Sequence, residues 1–300
     1  MPYHPRSQAC TLTGVEAQSA RGAVDPPSTR ERVVLGYDND SLNDARALHW
    51  AAAEADARNA LLRVVGSGIG LPRRIAFARA LSLARERWPH VSIEAVRDVV
   101  DAPGALLAEA VGADLLVVSA LGAAAAAARH WLVGSNMGLA ARRSSCPVVV
   151  VRGTAGGPIR RIVVGIDGSS AAAAALDWAI AEAGFHRAEM LVVHAWEPGA
   201  RHRGSRRSIG LDRADAGCVV DLAVRRCAKH LSVPVSGVVI EGSPALALVT
   251  VDLGADLVVV GSRGRSGFKT LLFGSVALSI AGHASCPVAL IHPHLRDSSL

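Results

Sequence analysis

The sequence predicts an α/β protein built from two tandem, doubly wound parallel sheets of five strands, with helices on both faces. Three observations support this prediction: a chain of 300 residues, an alternation of short Val/Ile/Leu runs with longer Ala/Leu stretches, and an internal repeat. This length suits two domains of roughly 150 residues each. Runs that are apolar throughout are typical of parallel strands buried on both faces, and their alternation with helices is typical of βαβ units.

The two halves of the chain share motifs at their beginnings and ends. An apolar run ending in Gly-x-Asp opens each half, at 33–38 and 162–167, and leads into a helical stretch that contains Glu54 or Glu182. The closing motifs are Gly-Ala-Asp with an apolar run, at 112–118 and 254–260, and Ser-Cys-Pro-Val, at 145–148 and 285–288. A tandem duplication of one domain explains this self-similarity.

Domain boundaries follow from the breaks in the apolar pattern. Gly and Pro interrupt it at 153–158, between the two copies. We therefore predict a first domain at 31–152, a linker at 153–158 and a second domain at 159–294. Residues 1–30 contain Arg and several Pro but no apolar run of the kind that signal peptides have, so we expect a flexible tail there.

Each repeat contains five apolar runs that we interpret as strands. Because ligands of a doubly wound sheet bind beyond the carboxyl ends of its strands, we expect functional residues directly after these runs. The runs lie at 33–36, 61–65, 91–96, 114–118 and 147–151 in the first repeat, and at 162–166, 191–195, 233–240, 256–260 and 287–291 in the second.

Composition argues against nucleic acid and membranes as partners. The net charge is +6, but the Arg residues are scattered along the sequence. The sequence contains no run of five basic residues that would indicate a basic face. The longest nearly apolar run, 115–128, is interrupted by Ser119 and Gly122 and is shorter than the roughly 18 residues of a membrane span. The five cysteines form no CxxC pair, which is typical of reduced thiols, so we expect a cytoplasmic protein.

A glycine-rich, basic segment follows the apolar run at 256–260. Glycines permit a close backbone approach, and the N–H groups and a Ser hydroxyl at a helix start hold anions such as phosphate. Basic side chains add positive charge beside that point. The segment therefore predicts a phosphate-binding loop. Its glycine and serine positions are Gly261, Gly264, Gly274 and Ser275, and its first basic positions are Arg263 and Arg265.

The spacing Gly-x2-Gly-x9-Gly-Ser resembles the nucleotide-binding signature of the universal stress protein family. With the Val-Gly-x-Asp opening, the Gly-Ala-Asp run and the Ser-Cys-Pro-Val ending, the resemblance covers nearly all of residues 160–293. Actinobacterial members with two tandem domains are similar in organisation. The resemblance implies a Rossmann-like fold of the adenine nucleotide alpha hydrolase type, ATP as the ligand, with or without Mg²⁺, and a regulatory role in the stress response.

The resemblance also implies which residues contact the nucleotide. Asp167 matches the acidic residue that hydrogen-bonds the adenosine part, and Ala195 matches the position whose backbone pairs with adenine. Independently of any family, an acidic acceptor at one strand end and a basic glycine loop at a neighbouring one suit a nucleoside phosphate. The positions matched to phosphate and ribose contacts are Gly261, Gly264, Gly274 and Ser275.

The first repeat departs from this pattern. Ser119 replaces the first glycine, eleven residues instead of nine separate the next two glycines, and alanine fills 123–128. Polyalanine favours helix and offers no charge to phosphate. We expect a weakened or altered site there. Its candidate positions are Asp38, Val64, Gly122, Gly134 and Ser135.

The favoured function is therefore an ATP-binding regulatory protein that holds nucleotide mainly in its second domain. The alternatives are a slow ATPase or phosphotransfer enzyme and a nucleotide-free or cyclic AMP-binding interaction module.

No HExxH pair or GxSxG elbow occurs, so we predict neither a metal site nor a catalytic nucleophile. The basic segment 201–207 is interpreted as a mobile loop over the nucleotide entrance, with an ordinary solvated loop as the alternative. Because each repeat presents a matching terminal strand, we expect the two domains to pair within the chain, with a homodimer as the alternative.

Overall fold

The computed structural model describes residues 31–37, 42–67, 70–99, 101–120, 143–144, 146–153, 157–196, 213–251, 254–264 and 273–293. These residues form ten strands and seven helices. The predicted tail at 1–30 and positions 154–156 of the predicted linker lie outside the described residues.

The first repeat supplies five strands, each of which confirms a predicted apolar run. Its third helix begins where Asp101 accepts a hydrogen bond from the Gly104 N–H at 3.1 Å, with a proline in the first turn, as is typical of helix N-termini. The elements are β1 (Arg32–Tyr37), α1 (Leu42–Ala57), β2 (Leu61–Ser67), α2 (Leu71–Arg87), β3 (Ser92–Val99), α3 (Ala102–Ala110), β4 (Leu115–Ser119) and β5 (Val148–Val151).

The second repeat follows the same order of strands and helices. Its first helix begins after Ser169, whose hydroxyl accepts a hydrogen bond from the Ala172 N–H at 3.1 Å, and ends at Arg187 in a left-handed conformation. The elements are β6 (Arg161–Ile166), α4 (Ser170–His186), β7 (Glu189–Trp196), α5 (Arg213–Ala228), β8 (Val235–Glu241), α6 (Pro244–Val251), β9 (Leu257–Gly261), α7 (Ser275–His283) and β10 (Val288–Ile291).

The strands form one continuous sheet of ten in the order β3-β2-β1-β4-β5-β10-β9-β6-β7-β8. Within each repeat all pairs are parallel, which confirms the doubly wound arrangement. The two parallel halves, which we predicted as two sheets, are joined by an antiparallel pairing of β5 with β10, in which Val149 lies opposite Ala289. This pairing covers two strands that would otherwise leave unpaired backbone groups at a sheet edge.

Helices cover both faces of the sheet. On one face α1 and α4 pack on the central strands through fully buried alanines such as Ala51 and Ala179. On the other face α3, α6 and α7 contribute Leu106, Leu248 and Ile280 to a second apolar cluster. Both clusters contain residues of both repeats, so the hydrophobic core runs across the seam between β5 and β10. None of the helices that the structure describes is long and apolar enough to span a membrane.

The chain leaves β5 in close contact with the second repeat. Gly153 has a φ of 65°, a conformation that favours glycine, and a Cβ atom at this position would overlap the carbonyl oxygen of Ser285. Next to it, Nη1 of Arg152 donates a hydrogen bond to the Ala281 carbonyl at 2.7 Å, in the last turn of α7. The predicted linker therefore begins at a packed position.

Candidate functional site

The predicted site of the second repeat lies where the strand order reverses. In the sheet β6 lies between β9 and β7. From β6 the chain adds β7 and β8 on one side and then returns to add β9 on the other side, so the strand order reverses at β6. Ligands of doubly wound sheets bind beyond the carboxyl ends of the strands at such a point. Asp167 follows β6, Ala195 lies near the end of β7 and Gly261 ends β9, so these three predicted residues share one edge of the sheet.

Asp167 and Gly264 face each other at this edge. A Cβ atom on Gly264 would lie 2.8 Å from Oδ2 of Asp167. The other carboxylate oxygen, Oδ1, accepts a hydrogen bond from the Ser169 N–H at 2.9 Å, in the turn before α4. The turn thus orients the carboxylate toward bare backbone at Gly264, and a side chain at position 264 would have to displace it.

Gly261 allows β9 to approach the first turn of α4. A Cβ atom at this position would lie 2.7 Å from the carbonyl carbon of Ala171 and 2.9 Å from its Cβ. Side chains do not pack at such distances, so any larger residue at 261 would push the helix away from the strand. Glycine is therefore required here by the packing of strand against helix, besides any contact with a ligand.

Gly274 and Ser275 form the N-terminus of α7 beside the end of β9. The Gly274 N–H donates to the Ser262 carbonyl at 2.7 Å, and the Ser262 N–H donates to the Ile291 carbonyl at 2.7 Å. A Cβ atom on Gly274 would lie 3.7 Å from the backbone nitrogen of Gly264. The helix has no side-chain cap and no acidic residue in its first turn, an arrangement that suits an anion at the helix start.

Two buried polar atoms beside this loop make no hydrogen bond within the described part of the chain. They are Oγ of Ser262, a fully buried residue, and Nε of Arg263. A buried polar group without a partner costs about 1–3 kcal/mol. A ligand that offers phosphate or hydroxyl oxygens fits these two donors, and it fits the bare backbone at Gly264 and Gly274 as well.

His194 and Ala195 form the part of the edge contributed by β7. The buried His194 donates from Nδ1 to the carbonyl oxygen of Ile166 at 2.7 Å, since a carbonyl can only accept. This bond holds the ends of β6 and β7 together, so His194 is a hydrogen-bonded core histidine. Ala195 lies opposite Ile240 of β8 and is half-buried, so it is part of the exposed margin of the sheet.

Several predicted positions fall outside the described residues. The structure places seven of the eight second-repeat candidates, and the eighth is Arg265. The basic segment 201–207 is also outside, so its interpretation as an entrance loop stays a prediction. The first-repeat candidates that lie outside the described residues are Asp38, Gly122, Gly134 and Ser135.

Comparison with known proteins identifies the family. The profile of the universal stress protein family matches residues 71–152 and 158–292, one match in each repeat. The chain belongs to the universal stress protein family. A universal stress protein of Mycobacterium tuberculosis is 29% identical over 306 aligned residues, which cover 88% of this chain and 98% of the relative.

Solved structures of universal stress proteins share the fold. One from Archaeoglobus fulgidus superimposes with a TM-score of 0.62 at 16% identity, over 87% of this chain and 96% of its own. One described as a putative universal stress protein from Pseudomonas aeruginosa has a TM-score of 0.60 at 16% identity, over 88% of this chain and 94% of its own. At these identities the likeness concerns the α/β fold with two tandem repeats.

In the first universal stress protein repeat, side chains occupy the equivalent strand ends. Ser119, which replaces the glycine found at 261, donates from its hydroxyl to Oδ1 of the buried Asp44 at 2.5 Å. Beside it, Nδ2 of Asn43 donates to the Ala120 carbonyl at 2.9 Å. These bonds tie the start of α1 to the end of β4, where the second repeat has bare backbone. They agree with the predicted departure from the nucleotide-binding pattern.

Aromatic rings cover the ends of β1 and β2 in the same repeat. Tyr37 and Phe77 have ring centroids 5.3 Å apart, and a Cβ atom on Gly66 would lie 2.8 Å from the Phe77 ring. Burial, with a smaller effect of the Asp44 charge, raises the pKa of Tyr37, so the phenol stays neutral. The family profile match in this repeat begins at residue 71, after β2. The first repeat therefore diverges most from the family profile before residue 71.

The strand register shows where one first-repeat candidate lies. Val64 is fully buried in the middle of β2, opposite Leu35. Gly36 lies opposite Val65, just as Gly165 lies opposite Val193, so the register equivalent of Ala195 is residue 67. A continuous apolar run gives no landmark within the strand, so the sequence alone does not distinguish Val64 from residue 67.

A cluster of charged residues between the repeats was not predicted. Glu54 on α1 and Arg58 directly after its end occupy places equivalent to those of Glu182 and His186 on α4, and the two members of each pair are four residues apart. Each glutamate bonds the basic residue of the other repeat: Arg58 donates to Glu182, and Nε2 of His186 lies 3.0 Å from Glu54 Oε2. The recurrence of Glu54 as Glu182 in the second repeat was the sequence signal for this cluster. The basic residue four positions after each glutamate completes the cluster.

Proposed function

We propose that the second repeat binds ATP, with or without Mg²⁺, and that nucleotide occupancy gives this universal stress protein its regulatory role in the stress response. The observation that carries the proposal is the close approach of Asp167 to the backbone of Gly264. A Cβ atom at position 264 would lie 2.8 Å from Oδ2 of Asp167. An acidic acceptor and a glycine loop thus lie together at β6, where the strand order reverses. Nucleotides bind at such a point in doubly wound folds.

The parts of the site suit the parts of the nucleotide. Asp167 would accept a hydrogen bond from the adenosine part, and the half-buried backbone of Ala195 would meet the adenine. The N-terminus of α7 at Gly274 and Ser275 would hold phosphate oxygens, because its N–H groups and dipole favour anions. Arg263, with a buried Nε that lacks a hydrogen bond among the described residues, would add charge compensation. Mg²⁺, when bound, supplies further compensation to the phosphates.

We propose binding without efficient hydrolysis. A general base must lie within hydrogen-bond reach of the attacking water. The imidazole Nδ1 of His194 is engaged with the Ile166 carbonyl, and Oδ1 of Asp167 accepts from Ser169. These two bonds support a role of both side chains in holding the site together. A slow ATPase or phosphotransfer enzyme remains the alternative.

The test is equilibrium dialysis of the full chain with labelled ATP. We expect saturable binding that Gly264→Ala weakens at least tenfold, about 1.4 kcal/mol, because the new methyl group displaces Asp167. Gly184→Ala is the matched control, since a Cβ at this position of α4 meets nothing within 4 Å. Unchanged affinity of Gly264→Ala would contradict the proposed site.

The same samples distinguish the alternatives. We expect unlabelled ATP to compete and cyclic AMP at equal concentration to compete poorly, and we expect phosphate release near the background rate. Stronger competition by cyclic AMP would favour the cyclic AMP-binding module, and no saturable binding would favour the nucleotide-free module. Sustained phosphate release that Asp167→Ala abolishes would favour the enzyme.

We also propose that the two domains pair within one chain and that the protein acts in the cytoplasm. The pairing of β5 with β10 supports the first part, because each repeat's terminal strand then covers the other. The four cysteines among the described residues form no disulfide, and three of them are buried, which supports a reducing compartment. A homodimer is the alternative assembly.

A further inference from the structure

We infer that the cluster between α1 and α4 is a binding site for a divalent transition-metal ion such as Zn²⁺. Its ligands would be Glu54 from the first repeat and Glu182 and His186 from the second. One carboxylate oxygen of each glutamate and a ring nitrogen of the histidine lie within 4.8 Å of one another. Both glutamates are 1% exposed, so the ligands converge in a buried place on the seam between the repeats.

The separations between the ligand atoms suit zinc. Nε2 of His186 lies 3.0 Å from Oε2 of Glu54 and 3.7 Å from Oε2 of Glu182. Zinc bonds of about 2.0–2.2 Å to histidine nitrogen and carboxylate oxygen place tetrahedral ligands roughly 3.4 Å apart. The two observed distances lie on either side of this value. The His186 side chain is 13% exposed, which gives the site an opening for solvent or a fourth ligand.

A buried oxygen without a hydrogen bond is a second observation that points to a ligand. Oε2 of Glu182 is buried and makes no hydrogen bond to any residue that the structure describes. A buried carboxylate oxygen in this state is costly, since burial removes its water without replacing it. A metal ion between Glu182 and His186 would satisfy it.

Arg58 orients the two carboxylates for this role. Its Nε donates to Oε1 of Glu54 at 2.5 Å, and its Nη2 donates to Oε1 of Glu182. Because the guanidinium takes one oxygen of each carboxylate, the Oε2 atoms are left on the side of His186. Hydrogen bonds that fix ligating carboxylates in this way are typical of metal sites. Arg58 is thus a positioning residue rather than a ligand.

The local charge is negative, which suits a cation. A third carboxylate, Glu31, lies 3.3 Å from Nη1 of Arg58 and is partly exposed. With a neutral imidazole, three carboxylates and one guanidinium leave a net charge of −2. A divalent ion brings this count to zero. Buried charges are tolerated when they are balanced, so a divalent ion is compatible with the cluster.

The test uses the full chain, stripped of metal with a chelator and titrated with Zn²⁺ against a chromophoric competitor. We expect one tight Zn²⁺ per chain, which Glu182→Gln and His186→Gln each weaken by more than tenfold, and which Arg58→Lys weakens by about 10–100-fold, as for other residues that orient ligands. The matched controls are Glu94→Gln and His230→Gln, at exposed positions outside the cluster. Circular dichroism verifies that each variant is folded.

Cobalt provides a second readout that needs no variant. Co²⁺ added to the metal-free wild-type chain should give a visible absorption spectrum of nitrogen and oxygen ligation, without a thiolate charge-transfer band, and Zn²⁺ should abolish it. Equal Zn²⁺ affinity in wild type, Glu182→Gln and His186→Gln would overturn the proposal. So would a wild-type chain that gives no Co²⁺ spectrum, or Zn²⁺ binding that is lost in His230→Gln.

Discussion

Single residues at the strand ends decide what each repeat can accept. Gly261 leaves backbone against the first turn of α4, whereas Ser119, at the corresponding position, donates a hydrogen bond to Asp44. Gly66 plays a different role, because its missing side chain makes room for Phe77. One glycine therefore lets a helix pack against a strand end, while the other lets an aromatic ring cover it.

Burial also decides which thiols react. Cys218 and Cys227 lie on the same helix, α5, but Cys218 is exposed and Cys227 is fully buried. Burial raises the pKa of Cys227 to about 11, and the thiolate is the reactive form. We expect iodoacetamide at pH 8 to alkylate Cys218 in the native chain and to leave Cys227 unmodified, as read by peptide mass spectrometry. Denaturant should expose Cys227, and equal native rates would contradict its placement.

The sequence predicts those site residues that belong to local patterns. Asp167 and the glycines from 261 to 274 follow from strand ends and fixed spacing, and the structure places the described ones at one edge. The contact of Ser119 with Asp44 joins residues 75 positions apart, and that of Arg58 with Glu182 joins residues 124 apart. No periodicity encodes such pairs, because they depend on how helices pack on the finished sheet.

At the level of elements, apolar runs were sufficient to locate all ten strands. The outer strands β3 and β8 were placed within three residues, since even there the apolar runs continue. The junction of β5 with β10 was not predictable as a single sheet, because a run of valines specifies burial and not the partner strand. The antiparallel register follows instead from joining two like repeats edge to edge.

This junction predicts a pattern of amide hydrogen exchange. Strands β5 and β10 are hydrogen-bonded on both sides, whereas β3 and β8 are bonded on one side. We expect amides of β5 and β10 to exchange as slowly as those of the internal strands β4 and β9, and more slowly than those of β3 and β8. Exchange in β5 and β10 at the rate of the outer strands would mean that the repeats separate at the seam in solution.

At the scale of the whole molecule, two similar repeats differ at their strand ends but share one sheet and one hydrophobic core. The second repeat keeps bare backbone at its strand-order reversal, and the first fills the same place with Ser119, Tyr37 and Phe77. Both apolar clusters nevertheless contain residues of both repeats, and the sheet is continuous through the seam. We therefore expect a ligand that binds the second repeat to affect the stability of the first repeat as well.

Continuity of the core predicts that the chain unfolds as one unit. In calorimetry of the metal-free protein we expect a single transition for both repeats, because separating them would expose the seam strands and their apolar neighbours. ATP binding to the second repeat should then stabilise the whole chain, by about 2.7 kcal/mol at a free concentration of 100 times Kd. Gly264→Ala should remove most of this shift, and Gly184→Ala should keep it. Two transitions, of which ATP moves one, would mean that the repeats are thermodynamically independent despite the shared sheet.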